Sequence, residues 1–266
     1  AKPMAGGVSV LDFDGTYRLQ LRLQRAGYEW IHLLDLEGVR GYCTVQSLAR
    51  IKERLKRRRA REVTLLGSGQ YHYVSLLLLG EIRQPFTLIL FDRHSDMMQA
   101  PAHNLISCGS WARAAVKRIP HLRRVVLLGV SDEGARLVPS ILQHKVASFT
   151  YRRLASTPAR DIIRREIPTE AVYISIDKDV LSPRDALTDW GQGQLALQEL
   201  IAFIDEVARR RRIIGVDICG EYSCSPADRF RPECVRAARL NETANLLLIE
   251  AVASRLPQGP WRHAAG

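Results

Sequence analysis

The chain alternates short apolar runs with longer amphipathic stretches, and this alternation limits its fold more than any other feature. The apolar runs, rich in Val, Ile and Leu, cover residues 8–13, 63–66, 86–91, 125–128, 172–176 and 213–218. Helical periodicity covers residues 45–59, 71–82, 111–118, 133–144, 159–166, 195–210 and 232–255. Strands that are apolar throughout and alternate with helices are typical of a parallel sheet covered on both faces. We therefore expect an α/β fold with three layers, α/β/α, and a mainly parallel sheet.

Acidic residues stand where several of the apolar runs end. Asp92 and Asp177 each follow a run, Asp217 lies within the last run, and Glu221 comes just beyond it. Because ligands of parallel sheets bind at the carboxyl ends of the strands, these acids are expected to meet in one pocket. No linker-like segment or internal repeat divides the 266 residues. We expect one domain over residues 1–266.

The net charge of +11, from 39 Lys and Arg against 28 Asp and Glu, raises the question of a nucleic-acid partner. The densest basic runs, residues 57–61 and 209–212, each close a helix-like segment just before a strand-like one. Cations at the end of a helix complement the helix dipole and stay solvated. We therefore do not expect nucleic acid as a partner.

Neither a membrane span nor a disulfide framework is expected from the sequence. The longest apolar patch, residues 74–79, is far shorter than the roughly 18 residues that a membrane helix needs. The first residues lack the apolar core of a signal peptide. The five cysteines, Cys43, Cys108, Cys219, Cys224 and Cys234, contain no Cys-x-x-Cys pair. This pattern indicates free thiols in a reducing cytoplasm.

Two segments at the ends of apolar runs carry closely spaced metal-binding residue types. Asp92, His94 and Asp96 occupy alternate positions, and so do Asp177 and Asp179. Alternate side chains of an extended segment point to the same side. A third segment, the Gly-rich turn of residues 67–72, ends in His72 and could present it to the same place. Such a set, rich in acids and without cysteine, suits a hard or borderline divalent ion, and manganese better than structural zinc.

These motifs together resemble those of the arginase/agmatinase (ureohydrolase) family. Its members carry a Gly-rich turn ending in a ligand His, an Asp-x-His-x-Asp at a strand end and a later Ser-x-Asp-x-Asp-x-x-x-Pro; here they stand at residues 67–72, 92–96 and 175–183. A Gly-Gln-Gly turn at residues 191–193 adds to the resemblance. It implies an arginase-like fold with two manganese ions per chain, held by six residues: His72, Asp92, His94, Asp96, Asp177 and Asp179. Asp92 and Asp177 would bridge the two ions.

The resemblance also implies a reaction. A hydroxide bridging the two metal ions would attack the planar carbon of a small cationic guanidino or amidino substrate, and a C–N bond would break. Asp96 or Asp179 would help to stabilise the tetrahedral intermediate. The family resemblance further suggests trimers or hexamers.

Three departures from the family pattern concern catalysis and specificity. The substrate-binding Glu of the family is expected nearer to Asp217, so Glu221 is its equivalent only if one residue is looped out. The acid/base His-Gly motif is replaced by Cys108 and Gly109. Either Cys108 or His103, acting through water, is a candidate for proton transfer, while a small buried thiol near a helix start is an equally good interpretation of Cys108. Because Arg93 replaces a small residue, arginine itself is not the expected substrate.

A rival interpretation comes from the first apolar run. Asp12 and Asp14, in the sequence Asp-Phe-Asp-Gly-Thr, resemble the opening motif of haloacid dehalogenase-type phosphatases, which use magnesium. Ser131, Lys145 and the pair Asp177 and Asp179 would then have to complete the site. That assignment would leave four residues without a role: His72, Asp92, His94 and Asp96. A strand that ends in an Asp-Gly turn is the plainer explanation. A metal-binding protein without catalytic activity is the third alternative.

Overall fold

The computed structural model describes residues 7–255, and the first six and last eleven residues of the expected domain 1–266 lie outside this range. Eight parallel strands form the central sheet, in the order β2-β1-β4-β10-β9-β5-β7-β8, and β3 and β6 form a small antiparallel pair. The strands are β1 (Val8–Asp12), β2 (Glu29–His32), β3 (Tyr42–Thr44), β4 (Val63–Ser68), β5 (Phe86–Phe91), β6 (Leu105–Ser107), β7 (Leu122–Val130), β8 (Val146–Thr150), β9 (Ala171–Asp177) and β10 (Arg212–Glu221).

Helices cover both faces of this sheet. They are α1 (Leu21–Gln24), α2 (Val45–Leu55), α3 (Ser75–Leu79), α4 (Trp111–Arg118), α5 (Asp132–Arg136), α6 (Tyr151–Ser156), α7 (Ala159–Glu166), α8 (Leu197–Ala208) and α9 (Pro232–Ala253). Short 3-10 helices cover Thr16–Leu19, Gly69–Val74, Ser140–Leu142 and Lys178–Val180. The three-layer α/β/α architecture with a parallel sheet is thus confirmed.

Alternation along β5 shows how the two layers of core arise. Leu88 and Leu90 belong to a core shared with α2, α3 and α4, whereas Ile89 and Phe91 belong to a core shared with α7, α8 and α9. Successive side chains of a strand point to opposite faces, so a strand between two helical layers must be apolar at every position. All six residues of β5 are buried.

The structure corrects several predicted boundaries. The stretch 71–82 is a 3-10 helix followed by α3, and the stretch 133–144 contains only α5 and the 3-10 turn Ser140–Leu142. Pro139 separates these two pieces, because its ring cannot continue a helix begun before it. The strands β2, β3, β6 and β8 were not predicted; they are three to five residues long and hold exposed or half-buried positions.

The Arg-rich runs are partnered within the chain. Arg58 is buried, and it shares the carboxylate of Glu81 with Arg61 at 2.9 and 2.7 Å. In the second run, Arg209 and Arg210 both contact Glu206. Residues of both Arg-rich runs therefore lie in ion pairs close to the end of a helix.

The expectation of five free thiols is wrong for two of them. Cys224 and Cys234, ten residues apart in sequence, form a disulfide between the segment after β10 and the first turn of α9. Their Cα atoms lie 6.2 Å apart, within the range that a disulfide spans. Cys43, Cys108 and Cys219 are free. None of the helices within residues 7–255 is long and apolar enough to cross a membrane.

Candidate metal centre

Two adjacent strands, β5 and β9, and the helical turn after β4 bring the predicted ligands together. β4, β10, β9 and β5 lie side by side and parallel, so their carboxyl ends meet at one edge of the sheet. His72 follows β4, Asp177 ends β9, and Asp92 comes directly after β5. Open α/β sheets bind their ligands at this edge, beyond the carboxyl ends of the strands.

The inner group consists of His72, Asp92, Asp96 and Asp177. His72 is 1% exposed, and its Nδ1 lies 3.3 Å from Asp92 Oδ2, 3.2 Å from Asp96 Oδ2 and 3.7 Å from Asp177 Oδ2. Asp96 reaches this position from a left-handed backbone conformation, φ 52°, which Asp adopts more readily than most residues. Three carboxylate oxygens around one imidazole nitrogen form a compact ligand set for a cation.

The outer group consists of Asp92, His94 and Asp179. His94 Nδ1 lies 2.8 Å from Asp179 Oδ2 and 3.5 Å from Asp92 Oδ1. Asp179 Oδ2 is buried and has no hydrogen bond of acceptable geometry despite this short distance. Two ligand atoms that lie this close without a hydrogen bond between them are well placed to bind the same ion. The two oxygens of Asp92 face different groups, as a bridging carboxylate requires.

A chain of hydrogen bonds behind the inner group orients its histidine. Ser175 Oγ donates to Asp217 Oδ1 at 2.6 Å and lies 2.8 Å from His72 Nε2. Tyr173 donates to the other oxygen of Asp217 at 3.0 Å. Because the Ser175 proton is used on Asp217, Nε2–H of His72 is the donor to Ser175, and Nδ1 is left to face the carboxylates. Such outer partners set the tautomer of metal-binding histidines.

The pKa values of the site reflect its crowded negative charge. Burial, together with Asp179 and Asp92, raises the pKa of Asp177 to about 7. Burial and Asp92 raise the pKa of Asp179 to about 6. The adjacent carboxylates of Asp179 and Asp92 raise the pKa of His94 to about 11. In the metal-free protein, bound protons thus compensate the negative charge of the carboxylates. Divalent cations would compensate the same charge when bound.

The structure places Glu221 away from these groups. Gly220 is looped out of register, with φ 91°, so the condition for Glu221 to match the family's substrate-binding Glu is met. The side chain nevertheless turns into a buried cluster, where it accepts hydrogen bonds from Lys178 Nζ, from Gln20 at 2.7 Å and from Asn245 at 2.8 Å. A substrate-binding role for Glu221 has no support in this arrangement, because a buried cation already engages its charge.

The two candidates for proton transfer are placed differently. Cys108 is half-buried, and burial followed by the charge of Asp96 raises its pKa to about 11. The charges of Asp96, His72 and Asp177 all act on this thiol, so it lies near the inner group. His103 is exposed, and within the described part of the chain no contact joins it to the predicted ligands.

Cys219 also lies in this cluster, although no role was predicted for it. It is fully buried, and its sulfur, a ring nitrogen of His72 and an oxygen of Asp177 lie within 4.8 Å of one another. The register of β10 pairs Cys219 with Asp177 on β9. Its position two residues after Asp217 at a strand end is the signal that could have revealed it, since alternate strand residues share a face.

Two tryptophans and the Gly-Gln-Gly turn line the centre. Trp111 is buried against His72, with ring centroids 4.7 Å apart, and donates from Nε1 to Asp96 Oδ2 at 2.6 Å. Trp190 is 40% exposed and lies edge-on to His94 at 6.1 Å. Gly193 donates to the carbonyl of Asp179 at 2.6 Å, and a side chain there would clash with the Val180 carbonyl. The half-exposed His94 and Trp190 therefore mark the open side of the site.

The phosphatase alternative does not assemble. Asp12 and Asp14 form turn contacts, accepting from the backbone N–H of Gly15 at 2.8 Å and of Thr16 at 3.1 Å. Ser131 follows β7, which is five positions from β1 in the sheet, roughly 24 Å at the usual strand spacing. Lys145 directly precedes β8 and so lies at the amino ends of the parallel strands. The carboxyl ends of β1 and β7 lie on the opposite side of the sheet.

Comparisons with known proteins agree with this geometry. The model of the family described as "Arginase family" matches residues 12–240. A Thermotoga maritima protein, described only as uncharacterized, is 31% identical over 214 residues, which cover 80% of this chain and 79% of the relative. Among solved structures, the proclavaminate amidino hydrolase of Streptomyces clavuligerus superposes with a TM-score of 0.67 at 18% identity, covering 95% of this chain and 94% of its own. Formimidoylglutamase of Bacillus subtilis superposes at 0.64, also at 18% identity, over 96% and 88% of the two chains.

Proposed function

The chain belongs to the arginase family, and on that premise we propose that it is a metal-dependent hydrolase of a C–N bond in a small guanidino or amidino compound. The observation that carries the proposal is the meeting of all six predicted His and Asp ligands in two groups that share Asp92. The similar proteins whose names state an activity include an amidino hydrolase and a formimidoylglutamase. The first of these names denotes hydrolysis at an amidino group, whose carbon is bonded to nitrogen.

Two manganese ions per chain are the proposed cofactors. His72, Asp92, Asp96 and Asp177 would hold the inner ion. Asp92, Asp177, His94 and Asp179 would hold the outer ion. The orphaned Asp179 Oδ2 and the short unbonded approach of His94 fit this assignment. When bound, two such ions supply the Lewis acidity that makes water a nucleophile near neutral pH.

The residues of the chain would bind the substrate and handle its proton. The carboxylates attract a cationic guanidino or amidino group, although the chain as a whole is positive. Trp190 and the half-exposed His94 leave one side open for the substrate. Because the pKa of Cys108 is raised to about 11, this thiol keeps its proton at neutral pH and is the proposed donor to the departing amine.

Metal analysis and a substrate panel test the proposal. Wild-type protein loaded with manganese is expected to retain roughly two ions per chain and to release urea or ammonia from at least one guanidino, amidino or formimino compound. Asp92→Ala should lose both metal and turnover, since Asp92 faces both groups. Asp132→Ala, an exposed aspartate at the start of α5, is the matched control. Unchanged metal content in Asp92→Ala would refute the assignment.

The alternative of a metal-binding protein without catalysis follows from Cys108 standing in place of the family's histidine and from the engagement of Glu221 with Lys178. It predicts full metal content with no product from any compound of the panel. Three further expectations stay proposals: one domain over residues 1–266, a cytoplasmic location, and a trimer or hexamer. The redox state of Cys224 and Cys234 in cell extracts and the mass of the protein in solution test the last two.

A further inference from the structure

We propose that Cys219 is a ligand of the inner ion and that the inner position prefers a thiophilic divalent ion, of the zinc class, to manganese. This inference rests on the proposed metal centre and changes the ion expected in half of it. Manganese is the ion expected for a set of acids and histidines without cysteine. The structure adds a thiol to that set.

The strand register brings Cys219 to the inner group. β10 lies between β4 and β9, and Cys219 pairs with Gly67 on one side and Asp177 on the other. The ligand atoms of Cys219, His72 and Asp177 lie within 4.8 Å of one another. Ligands of one zinc-type ion, with bonds of about 2.0–2.3 Å, stand roughly 3.4–3.8 Å apart. A small closure about an ion is therefore sufficient.

The bulge after Cys219 keeps the side chain of Glu221 out of the inner group. A Cβ at Gly220 would lie 2.5 Å from Asp177 Oδ1, so only glycine fits here, and its φ of 91° is readily adopted only by glycine. Beyond the bulge, Glu221 turns to Lys178. β10 thus contributes a thiol, and no carboxylate, to the centre.

The two ion positions consequently differ in chemical softness. Thiolate ligands select zinc and related ions, whereas carboxylate sets suit manganese and magnesium. The outer group of Asp92, His94 and Asp179 contains no sulfur, and its buried Asp179 Oδ2 independently indicates that the centre binds cations. On binding at the inner position, the ion displaces the thiol proton of Cys219 to solvent, and a metal–sulfur bond forms. No oxidant or reductant is needed.

Titration of the metal-free protein with Co²⁺ alone tests this inference. A sulfur–cobalt bond gives a charge-transfer absorption band in the near ultraviolet, which a site of only oxygen and nitrogen ligands lacks. We expect the band in wild type, saturating with the first equivalent. It should be lost in Cys219→Ser and in Cys219→Ala, and kept in Cys43→Ser, which removes a buried free thiol elsewhere, and in Cys108→Ser. Zn²⁺/Mn²⁺ competition should show the affinity ratio falling by about tenfold or more in Cys219→Ser.

The outcomes separate this inference from the proposed function. If wild type binds two Co²⁺ ions without the band, thiolate ligation is wrong and the metal centre stands. A band that persists in Cys219→Ser and disappears in Cys108→Ser also overturns the role of Cys219. If wild type binds no Co²⁺, both the ligand and the metal centre are refuted. If the Cys219 variants fail to fold, absence of the band in wild type still overturns the inference, and a band that persists in both Cys108→Ser and Cys43→Ser still supports it.

Discussion

Replacing Lys178 by methionine should destabilise the protein far more than its conservative size suggests. Lys178 is fully buried and lies in sequence between the two proposed ligands Asp177 and Asp179. Its Nζ donates to Glu221, which is 2% exposed, and to Asn245 Oδ1 at 2.8 Å. Lys178→Met would leave the Glu221 carboxylate buried with only neutral amide partners.

The expected magnitude follows from the burial of both charges. Removing one partner of a buried ion pair costs about 3–5 kcal/mol, because the other charge is left uncompensated. An exposed pair contributes only about 0–1 kcal/mol. In the double variant Lys178→Met/Glu221→Gln no buried charge remains, and the single carbonyl oxygen of the new glutamine can still accept from one of the two amide donors that Glu221 uses, Gln20 or Asn245. The double variant should therefore be less destabilised than Lys178→Met alone, by about 1–3 kcal/mol.

Equilibrium urea denaturation of the metal-free proteins measures these differences. Lys56→Met is the matched control, since Lys56 and Glu53 form a 2.6 Å pair with both side chains more than 60% exposed. We expect Lys178→Met to lower the free energy of unfolding by at least about 2 kcal/mol more than Lys56→Met. Equal effects of the two variants, or a double variant as unstable as the sum of its single changes, would refute the reasoning.

Three further predictions concern the metal centre and the disulfide. Trp111→Phe removes the hydrogen bond to Asp96 but keeps an aromatic ring, so metal affinity measured by calorimetry should fall about 10–100-fold, and an unchanged affinity would contradict it. Because the pKa of Asp177 is raised in the metal-free fold, the folded chain binds more protons than the unfolded chain. The melting temperature of the metal-free protein should therefore fall as pH rises from about 4 to about 7. A melting temperature that rises over that range would contradict this prediction. Replacing Cys224 and Cys234 by serine should lower the free energy of unfolding by about 3 kcal/mol, the chain-entropy value for a loop of this size; wild type should match the variant only when reductant is present.

Much of the architecture was predictable because it depends on local patterns. Strands such as β5 and β9 consist largely of apolar residues on both faces and are buried at every position, and this property requires helices on both faces. The short strands β2 and β8 escaped prediction because they lie at the edges of the sheet. Their pairing with β1 and β7 depends on neighbours distant in sequence, and their own residues carry little signal.

The predicted ligands meet for a related reason. Asp92, His94 and Asp96 lie within five residues, so their spacing could be interpreted before the fold was known. The motif around Asp177 is equally compact. Parallel strands bring such motifs to one edge of the sheet whatever their exact order.

The sequence by itself determined the three-layer fold, the family resemblance and six residues that the fold brings together. Only the tertiary structure decided that Cys219 lies beside Asp177 and His72, that Glu221 pairs with Lys178, and that Cys224 bonds to Cys234. The first group of properties arises from short segments whose periodicity and composition carry the information. The second depends on strand order, on one looped-out glycine and on the path of the chain between β10 and α9, none of which a local sequence pattern encodes.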